Sequence, residues 1–332
     1  MNQEEKKYLT SIELLGEQLK QAYQEAKKIV LPKKYQKIET VVTCGMGGSQ
    51  LGVDLARHLF SQEIKTPIIQ IKGYKLPKFI DHKTLVIIIS YSGNTEEALS
   101  SAMEAKEKKA QMVIITSGGK LSQLAKKNQL PSYVFNPINN PSGQPRLGTG
   151  YLLGSFLAIL KKLRKIEISD GQINNMATVL KLKIKTKKYS TRLKNRVPVI
   201  VASEFLQGNA HIFSNQINES AKQLAFFCSI PEMGHHLLEG LTFPVTNRKD
   251  LFFVFIFSQN YHPRNQKRYR ITQKIMNKQK IKHFKLEFAG DKTEQAMKIL
   301  KFGSLCSYEL AKTNDVNPNK IPWVKYLKKH LK

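Results

Sequence analysis

Thr84-Leu-Val-Ile-Ile-Ile-Ser-Tyr-Ser-Gly-Asn-Thr-Glu-Glu97 is the stretch that decides the fold. Its first half is an unbroken apolar, β-branched run. That reads as a strand buried on both faces, because a half-wet strand would alternate. Small and hydroxyl-bearing residues then surround Gly93, and two glutamates suit the first turn of a helix. A doubly buried strand, a tight turn and a helix form the repeating unit of a parallel sheet covered by helices.

The same alternation runs outward in both directions. Ile38–Cys44, Pro67–Ile71, Met112–Thr116 and Ser132–Phe135 read as further strands. A helix through Phe60, then Glu96–Lys108, Leu121–Lys127 and the apolar Thr149–Leu163, read as the helices between and after them. Residues 1–30 form a helix on the spacing of Ile12, Leu15, Leu19 and Ala22. Between Lys161 and Arg196 the rhythm stops: 12 Lys and Arg stand there against two acids, Glu167 and Asp170. This stretch reads as helix ends and a solvated connection. The rhythm then restarts with strands at Val197–Ala202, Leu251–Ser258 and Lys282–Phe288. Helices are expected at His211–Phe227, Arg270–Gln279, Lys292–Thr313 and Trp323–Leu331. Trp323, beside Pro322, is expected to anchor the terminal segment. The fold class is α/β, with two three-layer α/β/α domains at 1–165 and 197–332 joined by a basic connection at 166–196. A chain of 332 residues has room for both.

The chain holds 54 Lys and Arg against 25 Asp and Glu, a net charge of +29. Such an excess invites an anionic partner without choosing among nucleic acid, membrane surface and phosphorylated small molecule. The longest purely apolar run, Leu251–Phe257, is far short of the about 20 residues that span a bilayer. The charged N-terminus lacks the apolar core of a signal peptide. Cys44, Cys228 and Cys306 lie far apart, so neither a zinc site nor a disulfide framework is expected. A reducing, cytoplasmic setting follows. The basic stretch has only Tyr189 as an aromatic and no recognition motif, which argues against specific nucleic-acid binding.

Two turns carry the chemistry. Cys44-Gly-Met-Gly-Gly-Ser49 follows a strand and precedes a helix, a place where backbone N–H groups suit an anion. It lacks the third glycine of a dinucleotide fingerprint and the Gly-Lys-Ser/Thr of a Walker loop. By itself it also fits a plain strand–helix turn. Ser90, Ser92 and Thr95 put three hydroxyls within six positions around Gly93. A helix cap needs only one such residue, so the cluster reads as an anion site. Both turns follow strands, at the edge where open α/β sheets bind ligands.

These two turns together resemble the sugar isomerase (SIS) domain. Pro145-Arg146 before the long apolar helix, Asn218-Glu219-x-Ala221-Lys222, the proline segment leading to His235, and Asn317-Pro318 … Val324-x-x-Leu327-Lys328 narrow the match. The chain is similar, from about Val41 to its end, to the bifunctional phosphoglucose/phosphomannose isomerases, which are built from two SIS domains. That resemblance implies interconversion of an aldose 6-phosphate with fructose 6-phosphate, with no metal and no cofactor. It implies Glu219 as the base that moves a proton between C1 and C2, and His235 as the ring-opening residue, with His236 beside it as the other candidate. Lys328 would assist at the ring oxygen and Arg146 would stabilise the enediolate. Gly47, Gly48, Ser49, Ser90, Ser92 and Thr95 would hold the phosphate. The resemblance further implies a homodimer with the site near its interface and the histidine drawn from the partner chain. Two departures stand out. His235-His236-Leu237 occupies the place of His-Asn-Glu, and Asn317-Pro318 that of Asp-Pro. A non-catalytic phosphosugar sensor and an SIS isomerase for another sugar phosphate share the same phosphate turns. His211, on the helix that bears Glu219, reads as structural.

Overall fold

The computed structural model describes residues 2–331. In chain order the elements are α1 (Gln3–Glu13), α2 (Leu15–Ala26), β1 (Thr40–Cys44), α3 (Leu51–Leu59), β2 (Ile68–Ile71), β3 (Thr84–Ser90), α4 (Glu96–Glu107), β4 (Gln111–Thr116), α5 (Gly119–Lys127), β5 (Ser132–Val134), α6 (Thr149–Lys162) and α7 (Asp170–Val179). There follow α8 (Lys187–Leu193), β6 (Val197–Ser203), α9 (Gln207–Gln216), β7 (Phe226–Ile230), the single turns α10 (Leu237–Gly240) and α11 (Asn247–Asp250), β8 (Leu251–Phe257), α12 (Pro263–Lys278), β9 (Lys282–Glu287), α13 (Lys292–Thr313) and α14 (Pro322–His330). The chain divides into two compact units, Glu13–Lys181 and Met1–Ile12 with Leu182–Lys332.

In the first unit all five strands are parallel, in the order β2-β1-β3-β4-β5. The quoted run forms β3, the middle strand, and every one of its residues is buried. One face of the sheet, through Val42, Cys44, Val86, Ile88, Met112 and Ile114, shares a core with Ala98, Ala102 and Ala105 of α4 and Leu121 and Ala125 of α5. The alternate residues Val41, Leu85, Ile87, Ile89, Val113 and Ile115 are equally buried, so the other face is covered too. Helix α2 buries Leu15, Leu19, Ala22, Tyr23 and Ala26, a stripe at helical spacing, and packs on α6 and α7.

The basic stretch is largely ordered helix. Ser169 caps α7 through a reciprocal pair: its Oγ accepts from Gln172 N at 3.1 Å, and Gln172 Oε1 accepts from Ser169 N at 2.7 Å. The helix buries Ile173, Met176, Ala177 and Val179. Helix α8 buries Ser190 and Leu193, with Tyr189 against Phe284 and Phe302.

The second unit holds four parallel strands in the order β7-β6-β8-β9. Its N-terminal piece, α1, joins it through the Tyr8 ring stacked on Tyr308 and through the buried Lys301 Nζ, which donates to the Ile12 carbonyl at 3.0 Å. The helix expected over residues 1–30 is thus two helices, broken at Leu14. The helix expected over His211–Phe227 also ends early. Lys222 takes a left-handed φ of +53°, and Phe226–Ile230 forms edge strand β7. Trp323 anchors nothing: it is 81% exposed, and no residue of α14 is buried.

Candidate functional site

In the first unit, the residues expected to hold the phosphate converge on the carboxyl ends of β1 and β3. Gly47, Gly48 and Ser49 form the one-turn helix Gly47–Gln50 that follows β1. Ser49 Oγ accepts from the Tyr91 N–H at 3.0 Å, which ties this turn to the one after β3. Its hydroxyl proton is left to donate. Ser90 Oγ accepts from the Gly93 N–H at 3.1 Å and lies 2.8 Å from Thr95 Oγ1. Ser92 Oγ, exposed, accepts from the Asn94 N–H at 3.3 Å.

Thr95 occupies the N-cap of α4 yet makes no capping hydrogen bond; its hydroxyl turns back to Ser90. A cap would have used that oxygen on the N–H groups of the helix's first turn. Asn94 Oδ1 accepts from Lys120 N at 3.0 Å, so it serves the start of α5 instead. The cluster of hydroxyls is therefore not explained by capping of α4.

Two close approaches lock the arrangement. A side chain at Gly48 would put its Cβ 2.8 Å from Arg146 N and 2.9 Å from Pro145 C, so Arg146 is set directly against the first turn. Arg146 is fully buried, and its Nη1 donates to Gln144 Oε1 at 2.9 Å. At Gly93, with φ of +71°, a Cβ would stand 1.8 Å from the Gly118 carbonyl oxygen. Thr116–Gly119, a hydroxyl and glycine turn after β4, thereby joins the cluster, and Ser117 Oγ donates to the Tyr91 carbonyl at 2.7 Å. Sequence reasoning passed over this third turn, although Thr-Ser-Gly-Gly after a strand is the same signal in weaker form. Burial pushes the neighbouring Tyr91 phenol and Cys44 thiol up to about 12, so both stay protonated at neutral pH.

The other candidates lie in the second unit. Glu219, half-buried, sits on a π-helical turn, Ile217–Ala221, at the end of α9. Single π-turns inside helices concentrate at functional sites. Lys222 closes that turn, its Nζ donating to the carbonyls of Glu219 at 2.8 Å, Ser220 at 3.2 Å and Asn317 at 2.9 Å. The Ser220 hydroxyl bonds to Tyr8, and Asn218 Nδ2 bridges the carbonyls of Ser214 and Ala225. The glutamate's backbone is thus held from several directions. His235 ends the short turn Glu232–His235 and is exposed. His236 differs from it in having a carboxylate nearby, Glu232 at 3.4 Å. Lys328 lies on the exposed α14. His211 packs its ring on Phe227 and reaches Asn215 Nδ2 at 3.2 Å, a structural setting. No group of His, Cys, Asp and Glu suited to a metal ion occurs among the described residues.

Residues 183–331 match the family model of the bacterial phospho-glucose isomerase C-terminal SIS domain, and residues 34–140 match that of the SIS domain. The chain is 35% identical over 280 residues to a bifunctional phosphoglucose/phosphomannose isomerase of Caldicellulosiruptor bescii, covering 80% of this chain and 81% of that one. It is 31% identical over 295 residues to a protein of the same description from Aquifex aeolicus, covering 88% and 90%. Among solved structures, the C-terminal domain of glucosamine-fructose-6-phosphate aminotransferase from Francisella tularensis matches with a TM-score of 0.72 at 14% identity, covering 97% of this chain and 99% of that one. At that identity the likeness is one of fold.

Proposed function

The chain belongs to the bifunctional phosphoglucose/phosphomannose isomerase family, and we propose that it interconverts glucose 6-phosphate and mannose 6-phosphate with fructose 6-phosphate through an enediol. The observation that carries the reading is the hydroxyl-lined junction of the turns after β1 and β3, with an uncapped helix behind it. Its hydroxyls and free amides seat a phosphate without any lysine.

With the phosphate of the open-chain sugar held there, chemistry proceeds at the other end of the substrate. The Glu219 carboxylate takes the proton from C2 of the aldose. The electron pair moves into the C1–C2 bond, and the carbonyl oxygen becomes an enediolate oxygen. The proton returns to C1 while the C2 hydroxyl passes its own proton to the C1 oxygen, leaving the ketose with a carbonyl at C2 and a hydroxyl at C1. Arg146, held in place by Gln144, supplies fixed positive charge for the enediolate. His235 opens the ring by shuttling a proton between the C1 hydroxyl and the ring oxygen, with Lys328 assisting at that oxygen. No electron leaves the substrate, so the reaction consumes no cofactor.

We read the active enzyme as a homodimer. Leu224, Phe226 and Phe227 on and before edge strand β7 are 56%, 54% and 44% exposed, and Phe243 and Val245 are 73% and 58% exposed. An apolar sheet edge of this kind is a pairing surface unless something covers it. His235 lies in the segment between these two patches, where a partner chain would meet it. The three cysteines are unpaired, which supports a cytoplasmic setting. Among the described residues, no helix is long and apolar enough to cross a membrane.

The test is a coupled assay that detects fructose 6-phosphate from either aldose phosphate. Both substrates turn over, and Glu219→Gln lowers kcat by at least about two orders of magnitude, the loss expected for a missing general base. Glucose 6-phosphate binding without turnover would make the chain a sensor. An active Glu219→Gln would remove the proposed base.

A further inference from the structure

The second unit carries another place for an anion, formed by residues that take no part in the proposed chemistry. An open cleft of about 600 Å³ lies at the amino ends of β8 and β9, lined by Arg192, Arg196, Phe252, Lys280, Lys282 and His283 among others. Phe252 is the second residue of β8, Lys282 is the first of β9, and Arg196 immediately precedes β6. Among the described residues, no Asp or Glu lines the cleft. None of its Arg or Lys residues forms an ion pair among the described residues. Like charges gathered without a counter-charge repel one another, and an entering anion relieves that cost.

Two of the cations are already positioned. The Arg192 guanidinium lies 5.5 Å from the ring centre of Phe252 and 5.2 Å from that of Phe284, and its Nη2 donates to the His283 carbonyl at 3.4 Å. The Arg196 backbone is held by Gln223, whose Nε2 donates to its carbonyl at 2.8 Å. Yet Arg196 Nη1 is buried and has no hydrogen-bond partner among the described residues. A buried donor on a charged group without an acceptor is costly and calls for an explanation. A phosphate oxygen is the acceptor that the planar fork of arginine fits best.

The cations come from two sides. Arg192 and Arg196 belong to the α8–β6 connection. Lys280 and Lys282 belong to the turn from α12 into β9, where Lys280 holds a left-handed φ of +60°. A single phosphate would engage one pair and leave the other unrelieved. We propose that this cleft binds a small molecule carrying two or more phosphate groups, bridging the arginine pair and the lysine pair.

The experiment is calorimetric titration of the full chain with inorganic pyrophosphate at fixed ionic strength, with glucose 6-phosphate saturating. One pyrophosphate binds per chain, and inorganic phosphate binds at least about tenfold more weakly. Arg192→Gln and the double variant Lys280→Gln/Lys282→Gln each weaken pyrophosphate at least about tenfold, the loss of one good charge-assisted contact. The lysines are exposed, so their replacement leaves the fold intact. Ser90→Ala leaves pyrophosphate binding unchanged, which separates this cleft from the sugar phosphate turns even if those turns prove to bind something else. Absence of binding, displacement by glucose 6-phosphate, or equal binding by the lysine variant would each overturn the proposal.

Discussion

Substituting alanine at Gly93 tests the apposition of the turns after β3 and β4. Gly93 and Gly143 share a left-handed φ, +71° and +65°. A Cβ at Gly93 would stand 1.8 Å from the Gly118 carbonyl oxygen and 2.7 Å from its carbon, whereas one at Gly143 meets nothing within 4 Å. The left-handed conformation costs an alanine about 1–2 kcal/mol at either position. Reduced freedom of the unfolded chain offsets about 0.4–1 kcal/mol at both. The difference between the variants is therefore the overpacking at Gly93, about 1–3 kcal/mol, and toward the upper end because a backbone carbonyl cannot swing aside.

At about 2–4 °C per kcal/mol for a unit of this size, Gly93→Ala melts roughly 2–12 °C below Gly143→Ala. The functional consequence is also specific. Gly93 N–H donates to Ser90 Oγ at 3.1 Å, and forcing the turns apart breaks the alignment of that hydroxyl with Thr95. The KM for glucose 6-phosphate therefore rises at least about tenfold in Gly93→Ala, the loss of roughly one charge-assisted hydrogen bond, and stays near the parent value in Gly143→Ala. Thermal unfolding and initial-rate kinetics on the two variants decide the matter. Equal melting temperatures together with equal KM values would refute the reasoning, because neither the contact nor its link to the phosphate would then exist.

Other outcomes follow from the same geometry. Ser90→Ala and Thr95→Val each raise KM about tenfold with little change in kcat, because each removes a proposed phosphate contact and leaves the proposed base in place; a fall in kcat alone would contradict that assignment. Asp170 receives Lys27 Nζ at 2.7 Å, and that hydrogen bond holds its carboxyl down at about 2, below the usual 3.8. The depressed value means the pair stabilises the fold above pH 3.8 and is lost as pH falls toward 2. Asp170→Asn accordingly shows a shallower drop in melting temperature across that window, and identical acid profiles would remove the pair from the account. Cys44 is buried with its thiol pushed up to about 12. It resists iodoacetamide at pH 8 in the native protein and reacts in urea; rapid native alkylation would place it at the surface.

The sequence was most legible where one residue class answers one physical demand. Thr84–Ser90 is a strand because it is apolar throughout, and it is apolar because both of its faces are covered. The end of α9 was illegible for the opposite reason. Phe213, Ile217, Ala221 and Ala225 continue a helical spacing, and nothing local stops it. What stops it is Lys222, turned left-handed with its ammonium on three carbonyls, one of them Asn317, far along the chain. The strand that follows was hidden because the helical spacing runs on into Phe226 and Phe227, which lie at an exposed edge. Helix α7 was obscured by the basic residues on either side of it, although Ser169-Asp-Gly-Gln172 at its start was a readable cap once Asp170 is taken as the first helical residue. In the candidate site the two main turns were visible because each is contiguous. The third, Thr116–Gly119, was not, since its membership depends on the absence of a side chain at Gly93.

The net charge of +29 takes on a divided meaning in this light. The turns Gly45–Ser49 and Ser90–Thr95 contain no Lys or Arg, so the proposed phosphate seat works through hydroxyls and amides at contact distance. Contacts of that range discriminate by geometry and are little affected by salt. Surface charge acts differently: it raises the local concentration of any anion, and the effect is screened beyond about 8 Å at physiological ionic strength. Most of the surplus, including the net +10 of residues 161–196 (12 − 2) apart from Arg192 and Arg196, can do no more than this. The cleft at the amino ends of β8 and β9 is the exception. There Arg192 is held by the Phe252 and Phe284 rings and the His283 carbonyl, the Arg196 backbone is held by Gln223, and charge becomes shape. The distinction between attraction and recognition therefore rests on whether a positive group is held in place where an anion can reach it.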